Sequence, residues 1–278
     1  MTSMAVRLLR RVWLCLLLVP ANGALAGDLA AVQPAPDLTI HYDLYTGGLH
    51  TVGIEAKAHI QAERYALTAD VNSVGLINWF FRYHARHEAG GKLTEGGIRP
   101  ELYANAGEWN GGGRSVTLSY GDAGPIEAEV RPTPEKDERD PVPAHLWIGT
   151  VDPLSLVLAV NRRTASEEPC AVTVPVFDGR RRYNLHLEPV GLDRLPANRY
   201  SSFAGAALKC RVIYERVAGD PRNPQWQLRK PPQTTVWLAR FGRNRIWLPV
   251  RLETESIFGA VVGHITHVAA AGTPHPLD

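Results

Sequence analysis

Residues 38–58 read LTIHYDLYTGGLHTVGIEAKA, and this stretch decides the fold class. Over residues 38–45 apolar and polar side chains alternate, which is the pattern of a strand with one buried face. Gly47 and Gly48 then supply a turn that tolerates positive φ, and the alternation resumes over residues 49–58. The stretch therefore predicts an antiparallel hairpin at the beginning of a chain built mainly of strands.

The same pattern recurs along the rest of the chain. Short alternating runs, separated by turn residues, continue to residue 268. Residues 152–160 differ, because an aspartate and a proline precede an apolar run, and this order predicts the best-formed helix. We expect a mainly β protein in which a curved antiparallel sheet of about a dozen strands forms an open or spiral β-barrel or half-barrel. One or two short helices should pack inside it.

Residues 73–81 (SVGLINWFF) are too apolar for a half-exposed strand. They predict a short buried helix or tight connection that plugs the inside of the curved sheet. Trp79, Phe80 and Phe81, together with Trp147, are candidate ligand-facing aromatic residues on the concave side. Ordinary core packing is the competing interpretation for all four.

The first 26 residues have the features of a cleavable signal peptide. Three arginines precede an apolar run too short to cross a membrane, and an Ala-Leu-Ala cleavage pattern ends at Ala26. We expect cleavage after Ala26, a periplasmic location and no membrane span in the mature chain. Residues 27–278 should form a single β-rich domain, with the charged, proline-rich loop 131–143 between its two halves.

The charge balance argues against nucleic-acid binding. The chain has 30 lysines and arginines against 28 acidic residues, and three of the arginines lie in the signal segment, which leaves 27 against 28. A net charge this close to zero offers no basic surface for a phosphate backbone.

Two cysteines, Cys170 and Cys210, remain after cleavage. In an oxidising compartment two cysteines usually pair, and a bridge that closes a loop of about 40 residues is worth about 4 kcal/mol. Two buried free thiols are the alternative.

Motifs for catalysis, metals or cofactors are missing from the sequence. His84 and His87, like His264 and His267, lie three residues apart in predicted strands, so the members of each pair point to opposite faces and cannot chelate one ion. The chain has no G-x-S-x-G elbow, Walker loop, G-x-G-x-x-G or H-E-x-x-H motif. We therefore expect no metal and no cofactor, and we assign no catalytic residue.

Asp178, Arg180, Arg182 and Tyr183 form the most polar cluster near a predicted turn. A charged hairpin tip is the simplest interpretation of this cluster, and an unfamiliar enzymatic site is the alternative.

Several short motifs, taken in their order along the chain, resemble the domain-of-unknown-function 3108 family of exported proteobacterial proteins. The motifs lie at residues 42–49, 75–79, 99–103, 152–155, 176–183, 210–212 and 248–251. The resemblance covers about residues 38–268 and implies a periplasmic β-sheet protein, with no activity attached. In architecture alone, the predicted protein is also similar to periplasmic lipoprotein carriers and to spiral β-barrel proteins of the envelope.

Three functional hypotheses follow. The favoured one is a non-enzymatic periplasmic protein that supports the cell envelope by binding an apolar, lipid-like ligand or an envelope protein on its concave sheet. An envelope hydrolase with a site near Asp178 and Arg180 is the second. A structural scaffold with no cavity is the third.

Overall fold

The fold is taken from a computed structural model. It describes residues 37–80, 82–109, 111–136, 139–163, 170–222, 232–242, 246–256 and 258–270. The predicted signal peptide and Phe81 lie outside these residues.

Strands make up most of the described chain. Their bounds are β1 Leu38–Thr46, β2 Leu49–Ile60, β3 Arg64–Ser73, β4 Tyr83–Thr94, β5 Gly97–Trp109, β6 Gly112–Gly121, β7 Gly124–Arg131, β8 Val172–Phe177, β9 Arg182–Leu195, β10 Gly205–Ala218, β11 Thr234–Phe241, β12 Ile246–Ser256 and β13 Gly259–Ala270. The helical elements are two 3-10 helices, Gly75–Trp79 and Ala144–Leu146, and the α-helix α1, Leu156–Arg163. The predicted first hairpin and the predicted helix are both confirmed, although the helix begins four residues later than expected.

All thirteen strands described here belong to one sheet, and the order of the strands is nearly that of the chain. The order is β7-β6-β5-β4-β3-β2-β1-β13-β12-β11-β10-β9-β8, with every neighbour antiparallel. The first strand pairs with the last in the middle of the sheet, where Leu38 is opposite Ala270 and Thr46 is opposite Val261. The sheet is therefore an unclosed ring, open between β7 and β8.

The segment between β7 and β8 contacts the edge of β8 and the turn before β7. Val151 pairs in parallel with β8, and its N–H donates to the carbonyl of Pro175 at 3.0 Å. Gly149 donates to the carbonyl of Ala123, in the turn before β7, at 3.1 Å. An uncovered strand edge would invite pairing with another chain, and the contact of Val151 occupies part of the β8 edge.

Helix α1 lies inside the curve of the sheet. It contacts β5, β8 and β12, three strands that are far apart in the sheet order. One short helix can touch all three only if the sheet curls around it. Ala159 and Val160 are buried there in a cluster with Cys170 and Cys210. The expected curved, unclosed, mainly β fold with a helix packed inside is confirmed.

The expectation of a buried plug at residues 73–81 is wrong. The 3-10 helix at Gly75–Trp79 has no buried residue, and Leu76, Trp79 and Phe80 are 66%, 85% and 77% exposed. Val74 donates its N–H to the carbonyl of Thr51 at 3.0 Å, which holds the segment at the start of β2 and not inside the sheet.

Two further clusters complete the core. One joins β1 to the strands β11–β13 and includes Val250 and Ile265, which are fully buried. The other joins β4–β6 to Phe177 at the end of β8 and includes Leu118, which is also fully buried. Because Phe177 and Leu118 come from opposite halves of the sheet, this second cluster closes the interior on the side where the strands do not pair.

Candidate functional site

The inner face of the first hairpin forms one wall of an apolar cavity. Leu38, Ile40 and Tyr42 alternate along β1 and share a face. Ala58 and Ala56 lie opposite Leu38 and Ile40 on β2, and all five residues line the cavity. The two alanine side chains are small, so they leave space that larger residues would fill.

Helix α1 and strand β12 form the facing wall. Val157 and Leu158 of the helix and Leu154 before it line the cavity. Asn161 fixes the helix to β12, because its Nδ2 donates to the carbonyl of Trp247 at 2.9 Å and its Oδ1 accepts the N–H of Trp247 at 2.8 Å. This two-way amide contact sets the distance between the helix and β12, the two elements of this wall.

The cavity measures about 200 Å³, and only Tyr42, Lys57, Thr68 and Asn161 in its lining are polar. Dry apolar cavities of roughly 150 Å³ take up benzene, so this space is large enough for a small ring or the end of an alkyl chain. Ile60 and Val157, which are 39% and 42% exposed, place part of the lining at the surface. A longer chain could therefore enter past these two residues.

The polar groups of the lining suit an uncharged ligand. Burial raises the pKa of the Tyr42 phenol, which stays neutral. The ammonium of Lys57 forms an ion pair with Glu55, and the Asn161 amide is bonded to β12. A charged ligand group in this cavity would meet apolar side chains and lose its hydration.

A buried polar cluster lies at the N-terminus of α1. The Asp152 carboxylate is fully buried; its Oδ1 accepts the N–H groups of Leu154 at 3.0 Å and Ser155 at 2.8 Å, as predicted for a cap. Its Oδ2 has no hydrogen-bond partner. Burial raises the pKa of Asp152 to about 6. The Ser155 hydroxyl lies 3.0 Å from the Tyr65 hydroxyl of β3, which joins the helix to the first half of the sheet.

A second, polar cleft of about 320 Å³ lies between β4–β6 and the β8–β9 turn. The predicted polar cluster maps here in part, since Asp178, Arg180 and Tyr183 line the cleft and Arg182 does not. Asp178 Oδ1 accepts the N–H groups of Arg180 and Arg181, and its Oδ2 is 2.7 Å from the Arg181 guanidinium. The carboxylate is thus used to close the hairpin, which is the simpler of the two interpretations of this cluster.

Arginines crowd this polar cleft. The pKa of Arg114 is lowered by burial and by the charges of Arg180 and Arg139. The pKa of Arg180 is also lowered by burial; the charge of Asp178 opposes this shift, and the charge of Arg139 increases it. Arg180 also donates to the carbonyls of Arg131 at 2.7 Å and Pro132 at 3.0 Å. Neighbouring positive charges of this kind favour an anion over a neutral ligand.

The candidate aromatic residues do not gather at the apolar cavity. Trp79 and Phe80 are exposed at the β3–β4 connection, and Trp147 stacks on Phe177 with ring centroids 5.1 Å apart. Phe81 lies outside the described residues. The cavity is lined mainly by aliphatic residues instead. In the sequence, the alanines opposite Leu38 and Ile40 mark one wall of it but not the helix that faces that wall.

The histidine pairs lie as expected in strands. His84 contacts Asn72 at 2.6 Å on the exposed side of β4, whereas His87 contacts Tyr103 at 3.1 Å and has its pKa lowered by burial. His264 is buried against an aromatic ring, that of Tyr200. Among the described residues, no three metal-ligating side chains come together.

Cys170 and Cys210 lie side by side beneath α1. Both are fully buried, their Cα atoms are 5.6 Å apart, and their Sγ atoms are within bonding distance. This separation suits a disulfide.

The fold and the cavity define a β-barrel-like protein whose unclosed antiparallel sheet surrounds a helix and a small apolar space. The chain belongs to the family described as protein of unknown function (DUF3108), whose pattern matches residues 40–266. No curated protein matches the sequence. Within the described residues, no helix has both the length and the apolar character needed to cross a membrane.

Two solved structures can be compared with this fold. A β-barrel-like protein of the domain of unknown function DUF1849 from Brucella abortus is 8% identical, with a TM-score of 0.51 over 84% of this chain and 98% of that one. The hypothetical protein CT021 from Chlamydia trachomatis is 10% identical, with a TM-score of 0.29 over 86% of this chain and 90% of that one. The first similarity supports the fold alone, and the TM-score of the second is too low to support any conclusion.

Proposed function

We propose that this protein acts in the periplasm, without catalysis, as a binding protein for an uncharged apolar group, such as the alkyl chain of an envelope lipid. The observation that carries the proposal is the cavity of about 200 Å³ between α1 and the first hairpin. The space opens to the surface beside Ile60 and Val157, so its apolar lining meets water unless something covers it. A ligand that fills the space would remove this apolar surface from water.

The signal-peptide features of the first 26 residues and the buried cysteine pair support the proposed location. Disulfides persist outside the cytoplasm, where reducing systems do not remove them. The aliphatic lining supports an alkyl ligand, and its engaged or neutral polar groups argue against an acidic or basic one.

Calorimetric titration with primary alcohols, from butanol to dodecanol, tests the proposal on the mature protein. Each buried methylene contributes about 0.8 kcal/mol, so the affinity should rise about fourfold per carbon until the cavity is filled and then level off. The chain length at which the affinity levels off measures the usable depth of the cavity. A flat affinity series, or no binding at any length, would overturn the proposal.

Two variants locate the binding. Ala58→Phe fills the cavity from β2 and should abolish the dependence of affinity on chain length. Val157→Trp narrows the exposed side of the cavity from α1 and should weaken that dependence, which keeps the test valid even if Ala58→Phe folds poorly. The matched control is Ala106→Phe, which adds the same ring at an exposed position of β5. Unchanged binding in both cavity variants would place the ligand elsewhere.

A further inference from the structure

One end of the sheet carries exposed apolar side chains on four turns. The turns are β1–β2, β3–β4, β5–β6 and β12–β13, which follow one another around that end because alternate strands of the antiparallel order reverse there. We call the side chains on these turns or directly beside them the apolar rim. Its members, each more than half exposed, are Leu49, Leu76, Trp79, Phe80, Trp109 and Phe258.

The four turns touch one another in sequence. Gly47 of the β1–β2 turn donates its N–H to the carbonyl of Ala260, beside the β12–β13 turn, at 2.9 Å. Val74, before the β3–β4 helix, donates to the start of β2. Tyr83, just after that connection, meets Trp109 of the β5–β6 turn with ring centroids 5.7 Å apart. The rim is therefore a continuous feature of the molecule, although each tip projects separately.

Three turns at the opposite end of the sheet have a different composition. The β2–β3 turn is Gln-Ala-Glu at residues 61–63, the β4–β5 turn is Glu-Gly at 95–96, and the β6–β7 turn is Asp-Ala at 122–123, all exposed. Turns are ordinarily polar, as these are. Six large apolar side chains, each more than half exposed on four neighbouring turns, indicate a surface that is covered when the protein works.

Basic residues flank the rim. Trp109 of the rim lines the polar cleft together with Arg114, Arg180 and Arg181, and Glu108 and Asp178 line it too. Asp178 pairs with Arg181, so three guanidinium groups against two carboxylates leave the cleft with one net positive charge. The charge of Arg180 lowers the pKa of Arg114 by repulsion, in addition to the effect of burial. An anion brought into the cleft would relieve that repulsion.

We infer that the apolar rim docks on the surface of a lipid bilayer that contains anionic phospholipid. Trp79 and Phe80, the most exposed members, enter the boundary between headgroups and acyl chains, and the cleft beside Trp109 receives a lipid phosphate at Arg114 and Arg180. Indole rings favour that boundary, and arginines are attracted to anionic headgroups. A fluid bilayer also adapts to four separate tips, whereas a rigid protein partner would need one matching surface.

The inference is independent of the proposed ligand. Ile60, which lines the exposed part of the apolar cavity, ends β2 at the end of the sheet opposite the rim. Docking by the rim would therefore leave the cavity facing away from the bilayer, and each property can be removed without the other.

Vesicle co-sedimentation of the mature protein tests the docking. Vesicles of phosphatidylglycerol and phosphatidylcholine in equal parts are compared with vesicles of phosphatidylcholine alone. The variant Trp79→Ser/Phe80→Ser removes two large exposed side chains and should lower the partition coefficient on the anionic vesicles at least tenfold, since burying such a side chain is worth more than 1.4 kcal/mol. Arg114→Gln should lower it a few-fold and only on anionic vesicles.

The matched control is Ile126→Ser/Leu192→Ser, which removes two side chains that are 72% and 83% exposed on β7 and β9, away from the four rim turns. It should bind vesicles as the wild type does. Brominated lipid should quench the wild-type tryptophan fluorescence, and Trp79→Phe should reduce that quenching even if the double rim variant is unstable.

Three results would overturn the inference: equal binding to both kinds of vesicle, equal loss in the rim and control variants, or a wild-type dimer in sedimentation that the rim variant abolishes. The last result would mean that the rim binds a second copy of the chain. Because the rim variant should still bind alcohols and Ala58→Phe should still bind vesicles, failure of this inference can be distinguished from failure of the proposed function.

Discussion

Replacing Asp152 by asparagine should change how the stability of the protein depends on pH. The carboxylate is fully buried at the N-terminus of α1, its Oδ2 has no hydrogen-bond partner, and burial raises its pKa to about 6. In the unfolded chain this carboxyl group would have a pKa near 3.8, the ordinary value for an exposed aspartate. The folded protein therefore binds the proton more tightly than the unfolded chain does.

The sign and size of the effect follow from this difference. Between about pH 4 and 6 the folded state holds more protons, so the contribution of Asp152 to the free energy of unfolding falls as the pH rises. Asp152 destabilises the folded protein least below pH 4. Its full destabilising effect is reached above the pKa of the folded state. A difference of about two pKa units corresponds to about 3 kcal/mol.

Urea unfolding at intervals from pH 4 to pH 7 measures this effect. The free energy of unfolding of Asp152→Asn, minus that of the wild type, should rise by about 2.4 kcal/mol across the range, because part of the full effect lies below pH 4. Any cost of placing the asparagine amide in the site adds a constant that does not alter the slope. Asp122→Asn, which removes a carboxylate that is 96% exposed, is the charge-matched control. Parallel curves for the wild type and Asp152→Asn would refute the reasoning.

Three other perturbations test the core. Replacing Cys170 and Cys210 by alanine should lower the free energy of unfolding by about 4 kcal/mol, the value for a loop of 40 residues, and a reducing agent should then have no further effect in urea titrations. Gly219→Ala should destabilise the protein by about 3 kcal/mol and lower the melting temperature, because φ is +86° and the new Cβ would lie 2.1 Å from the Arg180 carbonyl oxygen. The control Gly113→Ala, which adds a Cβ in open space, should change the melting temperature little. Leu118→Ala should cost about 2–5 kcal/mol in urea unfolding, and a value below 1 kcal/mol would mean that the interior behind β6 is loosely packed.

The local elements could be predicted from sequence because their signals are local. Alternation over residues 38–45 and the glycine pair after it define β1 and its turn, and the aspartate and proline at 152–153 define the start of α1. The parity of strand positions likewise places His84 and His87 on opposite faces without reference to other strands.

The site could not be predicted in the same way, because it depends on contacts between distant segments. The apolar cavity exists where Ala56 and Ala58 meet a helix that lies about 100 residues further along the chain, and no pattern within either segment records that meeting. The apolar run at 73–81 shows a related difficulty of prediction. Its hydrophobicity predicts that Trp79 and Phe80 are buried, yet both are exposed at a turn.

The pairing of β1 with β13 has a consequence for how the chain acquires its structure. Every other neighbouring pair of strands is joined by a single connection, whereas this pair brings together residues separated by more than 200 positions. Closing so long a loop costs conformational entropy before any contact is gained, so the two half-sheets should form first and their union should be the slow step. Until the last strand arrives, β1 and β12 present unpaired edges in what becomes the middle of the sheet, and at that stage the chain is most exposed to aggregation.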